Sequence, residues 1–102
     1  MRRAAKVDDN QKAIVKAYRE LGFSVMSCAA IGGGFPDLAV GLYGVTTLVE
    51  VKDGEKSPSQ RKLTPDQLKF HEVWQGSLRI VESIDDVAAH YNELRREWYL
   101  DE

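Results

Sequence analysis

The chain has 102 residues, of which 43% are hydrophobic and 29% are charged, and its formal net charge is −2. This length supports one hydrophobic core, so we expect residues 1–102 to form a single soluble domain. No apolar run approaches the ~20 residues of a membrane-spanning helix, and the basic N-terminus is not followed by the apolar core of a signal peptide. The single cysteine, Cys28, cannot form an internal disulfide, which favours a small buried thiol in a reducing cytoplasm.

The first third of the chain predicts a helix and then a strand. Asp8 or Asp9 caps a helix that ends just before Gly22. Residues 23–30, which include Cys28, have the composition of a strand. The glycine-rich loop 31–34 lacks the Gly-Lys-Ser/Thr ending of a phosphate-cradling loop, so no nucleotide cofactor is expected.

Two runs rich in Val, Leu and Thr, 38–42 and 46–52, predict a β-hairpin. If residues 43–44 form a two-residue loop, the last residue of the first strand pairs with Val45. Side chains alternate between the two faces of a strand. One face then carries side chains that we expect to be core: Leu38, Val40, Leu42, Thr47, Val49 and Val51.

In this register Asp37, Glu50 and Lys52 fall together on the other face of the hairpin. Two carboxylates about 5 Å apart repel each other unless a cation lies between them. Hard divalent cations such as Mg²⁺ prefer carboxylate oxygens and polarise phosphoryl groups. A neighbouring lysine can stabilise developing negative charge or orient the attacking water. The arrangement therefore predicts a site for phosphodiester hydrolysis.

Each of these residues also has an ordinary explanation. Glu50 and Lys52 could be the solvent-facing positions of a half-buried strand, and the Pro36-Asp37 pair could be a simple turn. The joint spacing between two apolar strands favours the functional interpretation.

The next element is a helix with a clear start. After a polar loop at 53–62, Thr64 caps the helix, Pro65 takes its first position and Gln67 completes a capping box. The helix continues to about residue 74. His71 lies one turn beyond Gln67 and could face the site, but we expect a surface or interface histidine.

The end of the chain predicts a short strand at 78–81 and a final helix capped by Ser83. We expect His90 to be solvated and not to bind a metal. The apolar stripe of this helix comprises Val87, Ala88, Tyr91, Leu94 and Trp98. The element order αβββαβα predicts an α/β domain with a mixed central sheet flanked by helices, in which the second helix crosses over to the fourth strand.

Basic residues follow the acid-bearing strand. They are Lys56, Arg61, Lys62 and Lys69. A net negative charge is unusual for a protein that binds nucleic acid, yet a basic face suffices to bind DNA if metal ions cover the active-site acids. The alternative is a set of solvated side chains without a partner.

These residues also carry a family resemblance. Pro36-Asp37 followed by Glu50-Val51-Lys52 resembles the motif of PD-(D/E)XK nucleases, and the surrounding chain is similar to the small stand-alone, phage-type VRR-NUC branch of that superfamily. The similar stretches, within about residues 8–82, are 8–15, 33–38, 48–54 and 63–67. The resemblance implies a restriction-endonuclease-like core and a Mg²⁺- or Mn²⁺-dependent DNA endonuclease. It also implies selectivity for branched DNA, as in Holliday-junction resolvases, and a role in replication or repair.

The resemblance also assigns roles to single residues. The catalytic residues that it implies are Asp37, Glu50, Lys52 and Gln67. The metal ligands that it implies are Asp37, Glu50, the backbone carbonyl of Val51 and Asp8, and Asp9 is the alternative to Asp8. We expect Gln67 to fill its capping role and its site role only in part, because one side-chain amide cannot serve both places well.

Small members of the family often act as dimers, and the aromatic residues of the last helix favour a homodimer here. We expect DNA, duplex or branched, as the partner, no membrane contact, and a cytoplasmic location in a bacterium or a phage-infected cell. Two other functions stay open: a non-catalytic DNA-binding or interaction module on the same fold, and a phosphohydrolase of small nucleotides. The second needs a base-stacking pocket, and Phe35 and Tyr43 are the aromatic residues visible near Asp37.

Overall fold

The computed structural model describes residues 9–100. The helices are α1 (Asp9–Glu20), α2 (Pro65–Val73) and α3 (Ile84–Leu100), with a turn of 3₁₀-helix at Pro58–Gln60. The strands are β1 (Ser24–Ser27), β2 (Leu38–Leu42), β3 (Val45–Val51) and β4 (Leu78–Val81). The predicted order αβββαβα and the α/β class are confirmed. Asp8, a predicted cap and metal ligand, lies outside the described residues. None of the helices within 9–100 is long and apolar enough to cross a membrane.

The strands form one mixed sheet in the order β1-β2-β3-β4. The first three are antiparallel neighbours, whereas β4 runs parallel to β3, with α2 in the connection between them. The predicted hairpin register is confirmed, since Leu42 pairs with Val45 and Leu38 pairs with Val49. Tyr43 and Gly44 have φ angles of 54° and 77°, as a two-residue loop matched to the twist of the strands requires.

The core lies between the sheet and the pair α1 and α3. It consists of Ile14, Tyr18, Phe23, Leu38, Val40, Val49, Val81, Val87 and Leu94, with smaller residues between them. Burying a large apolar side chain contributes about 1.5–3 kcal/mol. These contacts hold both helices on one face of the sheet and leave the opposite face, with Glu50, to α2.

The prediction that His90 is solvated is wrong. His90 is 3% exposed, and its Nδ1 lies 2.8 Å from the hydroxyl oxygen of Tyr18. It lies one turn from both Val87 and Leu94, so it falls on the buried stripe of α3, whereas Ala88 is exposed. Burial, together with the positive charge of Arg79, lowers the pKa of His90 to about 4.

The first strand is shorter than predicted. β1 ends at Ser27 because its partner β2 begins at Leu38, directly opposite. The N–H of Cys28 then donates to the Asp37 carbonyl at 2.8 Å, and the chain turns into the glycine loop. Cys28 therefore lies just beyond the strand instead of on it, although it is buried as expected, and burial raises the pKa of its thiol.

Candidate active site

Asp37 and Glu50 meet at one end of the β2–β3 hairpin. Asp37 directly precedes β2, and its Oδ2 accepts a hydrogen bond of 2.8 Å from the backbone N–H of Val51 in β3. The bond crosses the hairpin next to Glu50 and fixes the Asp37 carboxylate there. The sequence-predicted juxtaposition of the two acids follows directly from the confirmed register.

Glu50 is the most perturbed acid of this site. The residue is 1% exposed, among the largest fully buried side chains of the described chain. Burial, followed by the close approach and negative charge of the Asp37 carboxylate, raises the pKa of Glu50 to about 8, and the ammonium of Lys52 opposes this shift. Holding Glu50 ionised near neutral pH therefore requires more positive charge than Lys52 alone supplies.

A chain of hydrogen bonds joins Lys52 to Glu50 through α2. The Nζ of Lys52 donates to the Oε1 of Gln67 at 2.8 Å, and the Nε2 of Gln67 donates to the Oε2 of Glu50 at 3.1 Å. The amide thus accepts from the cationic residue and donates to the acidic one, which is the orientation that both partners need. The structure brings together all four residues predicted as catalytic.

The expectation that Gln67 could fill its two roles only in part is wrong. Its Oε1 accepts the backbone N–H of Thr64 at 2.9 Å as well as the bond from Lys52, and the Thr64 hydroxyl accepts the backbone N–H of Gln67 at 3.2 Å. An amide oxygen has two lone pairs and an amide nitrogen has two hydrogens, so capping and site contact coexist. The start of α2 and the polar chain of the site are therefore built from the same side chain.

Gly34 brings the glycine loop against the start of α2. A Cβ at this position would lie 2.5 Å from the carbonyl carbon and oxygen of Asp66, and the φ of +84° is left-handed. Both facts exclude any larger residue without a shift of the backbone. The segment that leads into Pro36-Asp37 is thus packed on the turn that presents Gln67.

His71, expected at the surface or an interface, faces the site instead. Its Nε2 lies 3.8 Å from the Oε1 of Glu50, and its side chain is 12% exposed. His71 follows Gln67 by one helical turn, so both side chains leave α2 on the same face. Burial lowers the pKa of His71, and the positive charge of Lys52 lowers it further, so both effects favour the neutral imidazole.

The carboxylates suit a divalent cation. The Oε1 of Glu50 is buried and has no hydrogen-bond partner within residues 9–100, a costly state for an ionised oxygen. Carboxylate and carbonyl oxygens are the donors that Mg²⁺ and Mn²⁺ favour. No three His, Cys, Asp or Glu side chains of the described chain form a ready-made metal site. The available donors are therefore Asp37, Glu50 and the adjoining backbone at Val51, with water completing the shell.

The predicted DNA-binding residues divide into two kinds. Arg61 is engaged within the protein, since its Nε donates to the Lys56 carbonyl at 2.8 Å and its Nη1 lies 3.3 Å from the Oε2 of Glu82. It holds the loop after β3 against the end of β4. Lys56, Lys62 and Lys69 have exposed side chains on this loop and on α2.

An aromatic cluster that the sequence analysis missed lies beside the site. The rings of Phe35 and Phe70 are 5.1 Å apart in an edge-on arrangement, and Trp74 stacks on Phe70 at 5.2 Å. The available signal was the spacing of Phe70 and Trp74, four residues apart on one helix. Tyr43, the other aromatic residue near the motif in sequence, instead stacks on Trp98 of α3 at 5.1 Å.

A solved structure described as a VRR_NUC domain is similar to this chain in both sequence and fold. The two are 32% identical with a TM-score of 0.56, and the match covers 78% of this chain and 86% of the other. The chain belongs to the VRR-NUC family. No family model matches its sequence, and no curated protein does so either, so the structural match carries the assignment. The resemblance carried by the four motif stretches is thereby confirmed, as is the restriction-endonuclease-like VRR-NUC fold.

Proposed function

We propose that this VRR-NUC domain is a Mg²⁺- or Mn²⁺-dependent endonuclease that hydrolyses phosphodiester bonds in DNA. The observation that carries the proposal is the buried Glu50 carboxylate beside Asp37, with one oxygen lacking a partner among the described residues. A pair of acids in this state is stable in its ionised form only with a cation nearby. Membership of a family of nuclease domains supports the reaction class.

The residues of the site divide the work. Asp37, Glu50 and the carbonyl of Val51 hold the cation, which when bound supplies Lewis-acid polarisation of a phosphoryl oxygen. Lys52 has three N–H groups, one of which is bonded to Gln67, so the others can meet negative charge that develops on the phosphate. Gln67 fixes the direction of both Lys52 and Glu50. Asp8 remains a proposed further ligand.

The exposed lysines supply the affinity for DNA. Lys56, Lys62 and Lys69 neutralise backbone phosphates, and each neutralised phosphate releases counterions whatever the base sequence. Contacts to phosphates depend on the shape of the DNA backbone and carry no information about the base sequence. Selectivity for branched DNA, in replication or repair, is therefore the finer form of the proposal.

A homodimer would supply the geometry for branched DNA. The far end of α3 exposes Trp98, Tyr99 and Leu100, which are 46%, 60% and 77% exposed. A two-fold pairing through this end would present two sites to opposite strands. Sedimentation equilibrium of the native chain should show a dimer that Leu100→Glu dissociates, and a monomer at every concentration would exclude the pairing.

The enzyme proposal is tested with labelled single-stranded, linear duplex, flap and four-way-junction DNA. We expect cleavage with Mg²⁺ or Mn²⁺, faster for branched than for linear DNA, and none with EDTA in excess. Cleavage that persists in EDTA would contradict the cation requirement. DNA binding without cleavage in either cation would contradict the enzyme proposal and favour a non-catalytic DNA-binding module.

A further inference from the structure

Two buried polar atoms face each other beside the proposed cation site. The Oε1 of Glu50 and the Nε2 of His71 are 3.8 Å apart, and each lacks a hydrogen-bond partner within the described residues 9–100. The Glu50 side chain is 2% exposed and the His71 side chain 12%. Buried polar atoms almost always have a partner, so a pair of unpartnered atoms at this distance indicates a shared one.

The separation fits a single bridging water. A distance of 3.8 Å is too long for a direct hydrogen bond, whereas one water at roughly 2.8 Å from each atom spans it. The other oxygen of Glu50 already accepts from Gln67, one helical turn before His71. An oxygen has two lone pairs, so a water on Oε1 leaves one for a cation. The inner face of α2 would then hold both oxygens of this carboxylate.

We infer that His71 is a positioning residue of the cation site, which holds the Oε1 of Glu50 through a bridging water while Gln67 holds the Oε2. The inference rests on the proposed cation-dependent function. In this role His71 orients the Glu50 carboxylate and does not itself bind the cation. The described chain has no trio of His, Cys, Asp or Glu side chains arranged to hold a metal, so His71 does not complete a ligand set with Asp37 and Glu50. Removing a group that orients a metal ligand typically lowers metal affinity 10–100-fold.

The test is Mn²⁺ binding by the protein without DNA, measured by calorimetry. His71→Leu fills the position without a polar atom and should weaken binding about tenfold or more. His71→Gln places an amide near the position of Nε2 and should restore most of the affinity. His71→Asn, whose amide is too short, should behave like the leucine variant. Glu72→Gln, an exposed change on the same helix, should stay within about threefold of wild type, the scale of a surface substitution.

A second readout separates a positioning role from direct ligation. In pulsed electron paramagnetic resonance of the Mn²⁺-loaded protein, the wild type should show no nitrogen coupling from an imidazole. Such a coupling, abolished by His71→Gln, would overturn the positioning role. Wild-type Mn²⁺ affinity in folded His71→Leu and His71→Asn would overturn it as well.

Asp37→Asn distinguishes this failure from failure of the proposed function. If Asp37→Asn abolishes Mn²⁺ binding and the two His71 variants bind normally, only the role of His71 is wrong. If Asp37→Asn binds Mn²⁺ as the wild type does, the cation site itself is wrong, and the role of His71 is overturned with it.

Discussion

Lys52 places a positive charge in the site, and its hydrogen-bond partner there is an amide and not a carboxylate. Its ammonium is hydrogen-bonded to the neutral amide of Gln67 at 2.8 Å, and Gln67 in turn contacts Glu50. A neutral partner fixes the direction of the ammonium without placing a carboxylate in direct contact with it. Such a charge is most useful when negative charge develops in the transition state.

We predict that Lys52→Ala lowers the turnover rate by ~10²-fold or more, the range of a lost transition-state donor. DNA affinity in Ca²⁺, which supports binding but should cleave poorly, should change little. Single-turnover cleavage at saturating DNA and fluorescence anisotropy measure the two quantities. Weak binding with normal turnover would reverse the assignment and make Lys52 a binding residue.

A buried histidine at the far side of the core makes stability depend on pH. The pKa of His90 is lowered to about 4 by burial and then by Arg79, with Glu93 acting in the opposite direction and Tyr18 bonded to its ring. The folded pKa lies below the unfolded value of about 6.5, so the unfolded chain binds the extra proton. His90 therefore contributes stability that is complete above pH 6.5 and is lost as the pH falls towards 4.

We predict that the free energy of unfolding falls by at most about 3 kcal/mol between pH 6.5 and pH 4 because of His90. His90→Asn keeps an acceptor for the Tyr18 hydroxyl and does not titrate, so its stability should be lower at pH 7 but flatter over this range. Urea unfolding at several pH values gives the comparison. An equal slope in the two proteins would exclude His90 as the source.

The helix α2 differs from the other helices because its inner face is polar. None of its residues is fully buried, and the side chains that it turns towards the sheet are those of Gln67 and His71. Its position is set by the Thr64 capping box, the close approach of Gly34 and the contact of Phe35 with Phe70. The start of this helix and the assembly of the site are therefore coupled.

We predict that Thr64→Ala costs about 1 kcal/mol of stability and also lowers turnover, because Gln67 loses one of the bonds that fix it. Thr64→Ser retains the hydroxyl and should restore both. Urea unfolding and single-turnover cleavage are measured on the same preparations. A loss of stability with unchanged turnover would show that capping and site assembly are independent.

The predictable parts of the site are those set by local rules. The hairpin register follows from the two-residue loop and from the alternation of side chains between the two faces of each strand. That register predicted Asp37 opposite Glu50. The capping box followed from three residues at the start of α2. The spacing of His71 from Gln67 left a site-facing orientation open, but it did not decide it, because a polar inner face gives no hydrophobic periodicity from which to read how α2 is rotated on the sheet.

His90 was missed for a related reason. Its spacing from Val87 and Leu94 was a local signal of burial, but an imidazole can lie in solvent or in a core, and the hydrogen-bond partner that permits burial is the distant Tyr18 hydroxyl. The partner stands 72 positions away in sequence, so no local pattern reveals it. The same holds for Phe35 and Phe70, which belong to a loop and a helix.

The whole molecule carries a net charge of −2, so the proposed affinity for DNA has to come from the distribution of charge and not from its sum. We predict that replacing Lys56, Lys62 and Lys69 together by Gln weakens DNA binding and reduces the slope of log K against log salt by about 0.9 for each phosphate that is no longer neutralised. Arg61→Gln should change the slope less, because Arg61 is paired with Glu82. Anisotropy titrations in Ca²⁺ at several salt concentrations measure these slopes. Equal slopes of log K against log salt in the wild type and both variants would show that DNA does not contact these lysines.

In the proposed function, Asp37 and Glu50 hold the cation on which DNA cleavage depends. The most direct measurement is cleavage of four-way-junction DNA by wild type, Asp37→Asn and Glu50→Gln over a Mn²⁺ titration, with folding checked by circular dichroism. A bound metal supplies several kcal/mol of transition-state stabilisation, so both folded variants should lose ~10³-fold or more in rate at every Mn²⁺ concentration. Cleavage by either variant at the wild-type rate would contradict the account.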